Sequence, residues 1–134
     1  VLNMDNQVIE FTQMHDEFIL DWNEAMISGD TTALERMTED YYVAFFKGLN
    51  EKPSIYNREE AVSGMKHSVK QLIGAEKRFE NRVIRLRDNE NAVVFYEQLI
   101  VKDEKLLTRL FTIENWQLTD GGWQLVREAE EPIN

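Results

Sequence analysis

From about Met4 to Ser28 the apolar or aromatic positions Val8, Phe11, His15, Phe18, Trp22 and Ala25 recur at alternating steps of three and four. That spacing predicts one long helix with these residues on a single stripe. Gly29 ends it. Asp30 is placed to cap a short second helix with Leu34 and Met37 turned inward, and Tyr41 to Phe46, aromatic on both alternating faces, predicts a short buried strand. Gly48 and Pro53 break the chain. A third helix starts at Asn57, with Glu60 at the capping-box position and Ala61, Met65, Val69 and Leu72 as its buried stripe, and stops at Gly74.

Beyond Glu76 the period changes to two. Runs at Phe79 to Asp88, Ala92 to Lys102, Leu106 to Leu118 and Trp123 to Glu130 predict four strands. They are joined by Asn89-Glu90, Asp103-Glu104 and Asp120-Gly121, links short enough for hairpins and hence for an antiparallel meander. Helices first and a curled sheet last make an α+β layout, with one sheet face covered by the helices. A single domain over 1–134 is expected, because nothing in the chain reads as a linker or a repeat.

Symmetric hairpins would set Arg82 against Glu97, Ile84 against Phe95, Leu86 against Val93, Glu97 against Leu110, and Glu114 against both Val93 and Arg127. The covered face would then hold Ile84, Leu86, Val93, Phe95, Leu99, Val101, Leu106, Leu110, Trp116, Leu118, Trp123 and Leu125. Arg82, Glu97, Glu114, Arg127, Thr108 and Thr112 would be embedded among them. The other face would carry Val83, Val94, Tyr96, Ile100, Leu107, Phe111 and Ile113, too apolar for a lone monomer. A second copy across a two-fold axis is the expected cover, in a homodimer built on Val94, Tyr96, Phe111 and Ile113. A β-bulge would exchange the faces of every residue beyond it.

Composition narrows the function classes. Seven Phe, four Tyr and three Trp supply a core, while the absence of cysteine excludes disulfides, Cys-ligated zinc and thiol catalysis and makes a cytoplasmic location the default. No apolar run reaches the ~18 residues of a membrane span, and Val1 to Gln7 lacks a signal-peptide pattern. The net charge of −10 is concentrated at the start, where residues 1–40 hold ten acids against Arg36 alone. Nucleic acid is therefore not an expected partner. The one basic run, Lys77, Arg78, Arg82, Arg85 and Arg87, is divided between two faces by strand alternation.

Trp22-Asn23-Glu24-Ala25, Gly29-Asp30 and Leu34, with the closing stretch Trp116 to Gly121-Gly122-Trp123-Gln124-Leu125-Val126, resemble the nuclear transport factor 2-like (cystatin-like) superfamily. The likeness is closest in style to its SnoaL-like and calmodulin-dependent kinase II association-domain-like members, and it spans nearly the whole chain. It implies a cone-shaped curved antiparallel sheet wrapped on the N-terminal helices, a cavity between them, and commonly a dimer through the sheet. Functions in that superfamily range from ketosteroid isomerases, scytalone dehydratase and polyketide cyclases to dioxygenase small subunits and non-enzymatic binding or assembly domains. In many relatives the last strand ends with His and Ser. Here it reads Arg127-Glu128-Ala129-Glu130.

His15 is a polar group on an apolar stripe and needs a partner. It is read either as a hydrogen-bonded core residue or as a general base or acid beside Glu97 or Glu114. The pairs Glu97–Arg82 and Glu114–Arg127 are read either as structural ion pairs or as a polar floor orienting a ligand carbonyl or carboxylate, with Phe18, Trp22 and Trp116 as apolar walls. His67 faces away from Met65 and Val69 and receives no role. No His-Glu-x-x-His, glycine-rich phosphate loop or Gly-x-Ser-x-Gly occurs, so neither a metal nor a cofactor is expected. Three functions remain. The first is a small homodimeric protein whose pocket takes an apolar or carbonyl- or carboxylate-bearing ligand. The second is a cofactor-independent isomerase, cyclase or dehydratase in which His15, Glu97 or Glu114 moves a proton and Arg82 or Arg127 stabilises an enolate. The third is a non-catalytic oligomerisation domain with a vestigial cavity.

Overall fold

A computed structural model describes residues 4–133. Helix α1 runs Met4–Ser28 and ends where Gly29, at φ 81°, donates its N–H to the Ala25 carbonyl, a left-handed stop that glycine adopts without strain. The expected second helix is a single 3-10 turn, Thr32–Leu34, and strand β1 begins at Met37 and runs to Phe45. A short strand not anticipated from the sequence, β2 (Ser54–Asn57), leads into helix α2 (Arg58–Gln71). The capping box forms as the spacing required: Asn57 Oδ1 accepts from the Glu60 N–H at 2.9 Å, and Glu60 Oε1 accepts from the Asn57 N–H at 3.0 Å. Strands β3 (Glu76–Asp88), β4 (Asn91–Lys102), β5 (Lys105–Thr119) and β6 (Gly122–Pro132) form the antiparallel meander. The six-stranded sheet has the order β2-β1-β6-β5-β4-β3, and it is mixed because β1 lies parallel to β6.

The register departs from symmetric hairpins at bulges, and each departure exchanges faces. Val101 pairs with Leu106 but Ile100 with Thr108, so Leu107 is an extra residue in β5. Leu110 consequently faces Gln98 rather than Glu97, and Glu114 faces Val94 rather than Val93. An extra Arg87, and Asn81-Arg82 opposing Tyr96 alone, shift β3 against β4, so Glu97 pairs with Glu80 instead of Arg82, Ile84 with Val94 and Leu86 with Ala92. Asn81, at φ 55°, adopts the left-handed conformation that such a bulge uses. In β6, Val126 is extra: Trp116 pairs with Leu125 and Asn115 with Arg127, which leaves Glu114 opposite Glu128.

The helix-covered face of β4 therefore carries Ala92, Val94, Tyr96, Gln98 and Ile100, all buried. The residues placed there by symmetry, Val93, Phe95, Leu99 and Val101, lie on the outer face, as does exposed Leu106 of β5. Val94 and Tyr96 thus cannot belong to a dimer face: both are in the core with Phe11, Phe18, Ala25, Leu34, Tyr41, Trp116 and Leu125. Phe111 and Ile113 do face outward, beside exposed Val83 and Leu107. Val8, expected on the inner stripe of α1, is exposed. No described helix is long and apolar enough to cross a membrane.

Candidate functional site

Two polar systems are built into the covered face, one behind the other. The deeper one is centred on Glu114, which β5 directs into the core with 1% exposure. Its Oε1 accepts from His15 Nε2 and from Trp116 Nε1, both at 2.8 Å, and its Oε2 accepts from the Tyr96 hydroxyl at 2.6 Å. On the other side of the imidazole, Arg82 donates to His15 Nδ1 at 3.0 Å and to Asp16 at 2.7 Å. A guanidinium can only donate, so Nδ1 is an acceptor and Nε2 carries the hydrogen given to Glu114. Burial opposes ionisation of Glu114, but the donors, His15 foremost, outweigh it and hold the carboxyl below its usual range. Phe11 stacks on the His15 ring at 6.0 Å, with Phe18 and Trp116 around it. Both oxygens of Glu114, both ring nitrogens of His15, the Trp116 N–H and the Tyr96 hydroxyl all have partners inside the protein, which makes this a satisfied network within the core.

The second system opens on a cavity of about 590 Å³ between α1, α2 and the sheet. Phe18, Trp22 and Met26 of α1, Met65 and Val69 of α2, and Val43 and Phe45 of β1 supply apolar walls. The polar lining is Tyr41, Lys77, Gln98, Glu128 and Glu130, with Glu60, Ser68 and Thr108 also bordering the space. The Tyr41 hydroxyl donates to Glu128 Oε1 at 2.8 Å. Burial pushes the Glu128 carboxyl up to about 8, the negative charges of Glu114 and Glu130 add to this, and Tyr41 and Lys77 oppose it. Glu130 is raised for the same first reason, against the pull of Lys77.

Lys77 is held at both ends by neighbouring residues of α1. Asn23 takes its backbone N–H and donates to its carbonyl, each at 3.2 Å, and the Trp22 ring lies 3.4 Å beneath Nζ. Among the described residues no carboxylate oxygen comes within 4 Å of that nitrogen. Burial lowers the Lys77 pKa, against the raising effect of Glu130, Glu128 and Glu114.

Of the residues singled out from sequence, Phe18 and Trp22 line the cavity. His15, Glu114 and Trp116 are brought together, but in the closed network behind it. Arg82 serves His15 and does not oppose Glu97. Glu97 lies on the outer face, bonded to Asn81 and, at 3.3 Å, to Arg109. Arg127 is likewise turned away, donating to Asn115 at 3.1 Å. The ion pairs Glu97–Arg82 and Glu114–Arg127 do not exist, because the bulges at Asn81-Arg82 and Val126 shift their partners. The cavity instead holds Glu128 and Glu130, which sequence reading missed. Their signal was the alternation of acids in Arg127-Glu128-Ala129-Glu130, which needed one bulge to turn inward. Among the described residues, no group of three or more His, Asp or Glu is placed to hold a metal ion.

No protein-family model and no curated protein matches this sequence. Solved structures do match. A protein from Streptomyces avermitilis described as a proposed dehydratase of the NTF2-like family superposes with a TM-score of 0.70 at 14% identity, over 98% of this chain and 99% of that one. An NTF2-like protein with a cystatin-like fold from Novosphingobium aromaticivorans gives 0.67 at 15% identity, over 98% and 91%. A protein of unknown function with a cystatin-like fold from Nostoc punctiforme gives 0.67 at 16%, over 87% and 86%. The chain has the cystatin-like fold of the NTF2-like proteins, as the resemblance in its sequence implied.

Proposed function

We propose that this protein is a small-molecule pocket protein that takes a largely apolar organic ligand with a carbonyl oxygen at one end. The observation that carries the reading is the aromatic- and methionine-lined cavity of about 590 Å³ with Lys77, Glu128 and Tyr41 gathered in its lining. That volume lies within the ~300–1,000 Å³ typical of small-molecule sites, which pair apolar walls with a few convergent polar groups. With both candidate arginines outside the cavity and two carboxyls within it, a ligand carboxylate would meet repulsion. A carbonyl oxygen meets donors, from the Lys77 nitrogen and from Glu128 while it holds its proton. Thermal-shift screening of matched steroids, aromatic acids and cyclic ketones tests this. A ligand at about 100 times its Kd adds about 2.7 kcal/mol, and the ketones should show it. A flat response to all three classes would sink the reading.

One observation favours a second reading, proton-transfer catalysis of the isomerase, cyclase or dehydratase kind. Glu128, raised to about 8, can hold and release a proton near neutrality at the cavity wall. The proton carrier would then be Glu128 and not His15, Glu97 or Glu114. The outer sheet face supports a further part of the proposal, a homodimer, since Val83, Leu107 and Phe111 stand exposed there beside Phe95 and Ile113.

A further inference from the structure

The surroundings of Lys77 differ from those of the six other lysines. Lys47, Lys52, Lys66, Lys70 and Lys105 are exposed and Lys102 is partly so, whereas Lys77 is 6% exposed and lines the cavity. A buried amine in an apolar chamber ordinarily has a carboxylate in contact, and Lys77 has none within 4 Å among the described residues. Its nitrogen is instead positioned by geometry: Asn23 fixes the backbone through two hydrogen bonds, and the Trp22 and Phe79 rings lie 3.4 and 5.1 Å from Nζ. The charged groups that act on it are Glu130 and Glu128 of β6 and Glu114 of β5. Trp22 and Asn23 of α1 and Gln98 of β4 bring no charge, and Glu60 of α2 borders the cavity.

We propose that Lys77 is a nucleophile that captures the carbonyl carbon of the cavity's ligand as a reversible imine. The inference rests on the carbonyl-ligand reading given above. The nitrogen lone pair adds to the carbonyl carbon, forming the C–N bond, and the π pair moves to oxygen, which takes a proton. A second proton on that oxygen lets the C–O bond break as water leaves, while the nitrogen lone pair closes the C=N bond. The two protons gained by oxygen equal the two lost by nitrogen, so no oxidant or reductant is consumed. Glu128 and Glu130, in the same chamber, are the groups able to relay them. Burial lowers the Lys77 pKa, which favours the free amine that this addition requires.

The test is reductive trapping on the full chain at pH 7.5 with limiting benzaldehyde and sodium cyanoborohydride, followed by peptide mapping. One benzyl group should appear on Lys77, several-fold ahead of each surface lysine and of the terminal amine. Labelling of Lys77 should disappear in Lys77→Arg, and the preference should vanish when the chain is unfolded in urea. Labels spread over surface lysines, with Lys77 no more modified than they are, would overturn the proposal. A Lys77→Met variant keeps the two readings apart, since acetophenone can occupy its cavity without covalent capture. A thermal shift with acetophenone in that variant, together with no labelling of Lys77 in the parent, refutes the imine and leaves the pocket reading standing. Absence of both the shift and the label refutes the two together.

Discussion

Replacing Glu128 by glutamine should make the protein more stable at alkaline pH, and the structure sets the size of the gain. Glutamine keeps an oxygen to accept the Tyr41 hydroxyl, now 2.8 Å from Oε1, and removes a charge that the cavity disfavours. The native carboxyl stands at about 8 against an ordinary value of 4.5. A carboxyl raised on folding binds more protons in the native than in the unfolded state between those two values. Stability is therefore fully present below about 4.5 and falls as pH rises toward 8. The full interval corresponds to at most about 5 kcal/mol at 1.36 kcal/mol per unit. Glu128 is half-buried and borders an open cavity, so screening should reduce the realised loss to about 2–3 kcal/mol. Urea unfolding of parent and variant at half-unit steps from pH 5 to 9 measures it. The parent curve should descend while the variant stays flatter, with Glu128→Gln ahead at pH 8.5. Parallel curves, or a variant less stable at pH 8.5, would refute the assignment of a raised carboxyl to this position.

Glu114→Leu should cost about 3–6 kcal/mol in the same assay, because three buried donors lose their acceptor, whereas Glu114→Gln should cost about 1–2 kcal/mol. Since the Glu114 carboxyl is depressed on folding, its contribution is present above 4.5 and lost as pH falls further, and the parent's acid limb should flatten in Glu114→Gln. Asn57→Ala, which breaks the capping box of α2, should lower stability by about 1 kcal/mol. Phe111→Glu on the outer sheet face should abolish the proposed homodimer, read by light scattering as a fall to the monomer mass, while leaving the circular dichroism spectrum unchanged.

Local patterns were legible wherever the determinants lie within a few residues. The three- and four-residue spacing gave α1 to its last residue, and Asn57 with Glu60 announced α2. The hairpin links gave the meander, and two of the cavity's aromatic walls, Phe18 and Trp22, followed from the α1 stripe. The short β2 was hidden because a four-residue edge strand has too few positions to show a period. The polar half of the site was lost at the bulges. An extra residue is set by how a bent sheet fits over its core, a property of distant contacts that hairpin symmetry does not contain. Leu107 thus moved Glu97 outside and Gln98 inside, and Val126 did the same for Arg127 and Glu128. Of the two acids offered as partners of His15, Glu114 meets it and Glu97 does not, and enclosure by Trp116, Tyr96 and Arg82 makes the pair part of the core.

The extra residue at Val126 also says something about how this scaffold could change chemistry. Were the bulge ironed out, with Val126 taking the place opposite Asn115 that Arg127 now holds, every later residue of β6 would shift by one, turning Arg127 and Ala129 toward the chamber and sending Glu128 and Glu130 to the exterior. An acidic lining would become a basic one through a change of pairing alone, without any cavity-facing residue being substituted. In such a frame, gaining or losing a bulge is as direct a route to new ligand preferences as substitution is.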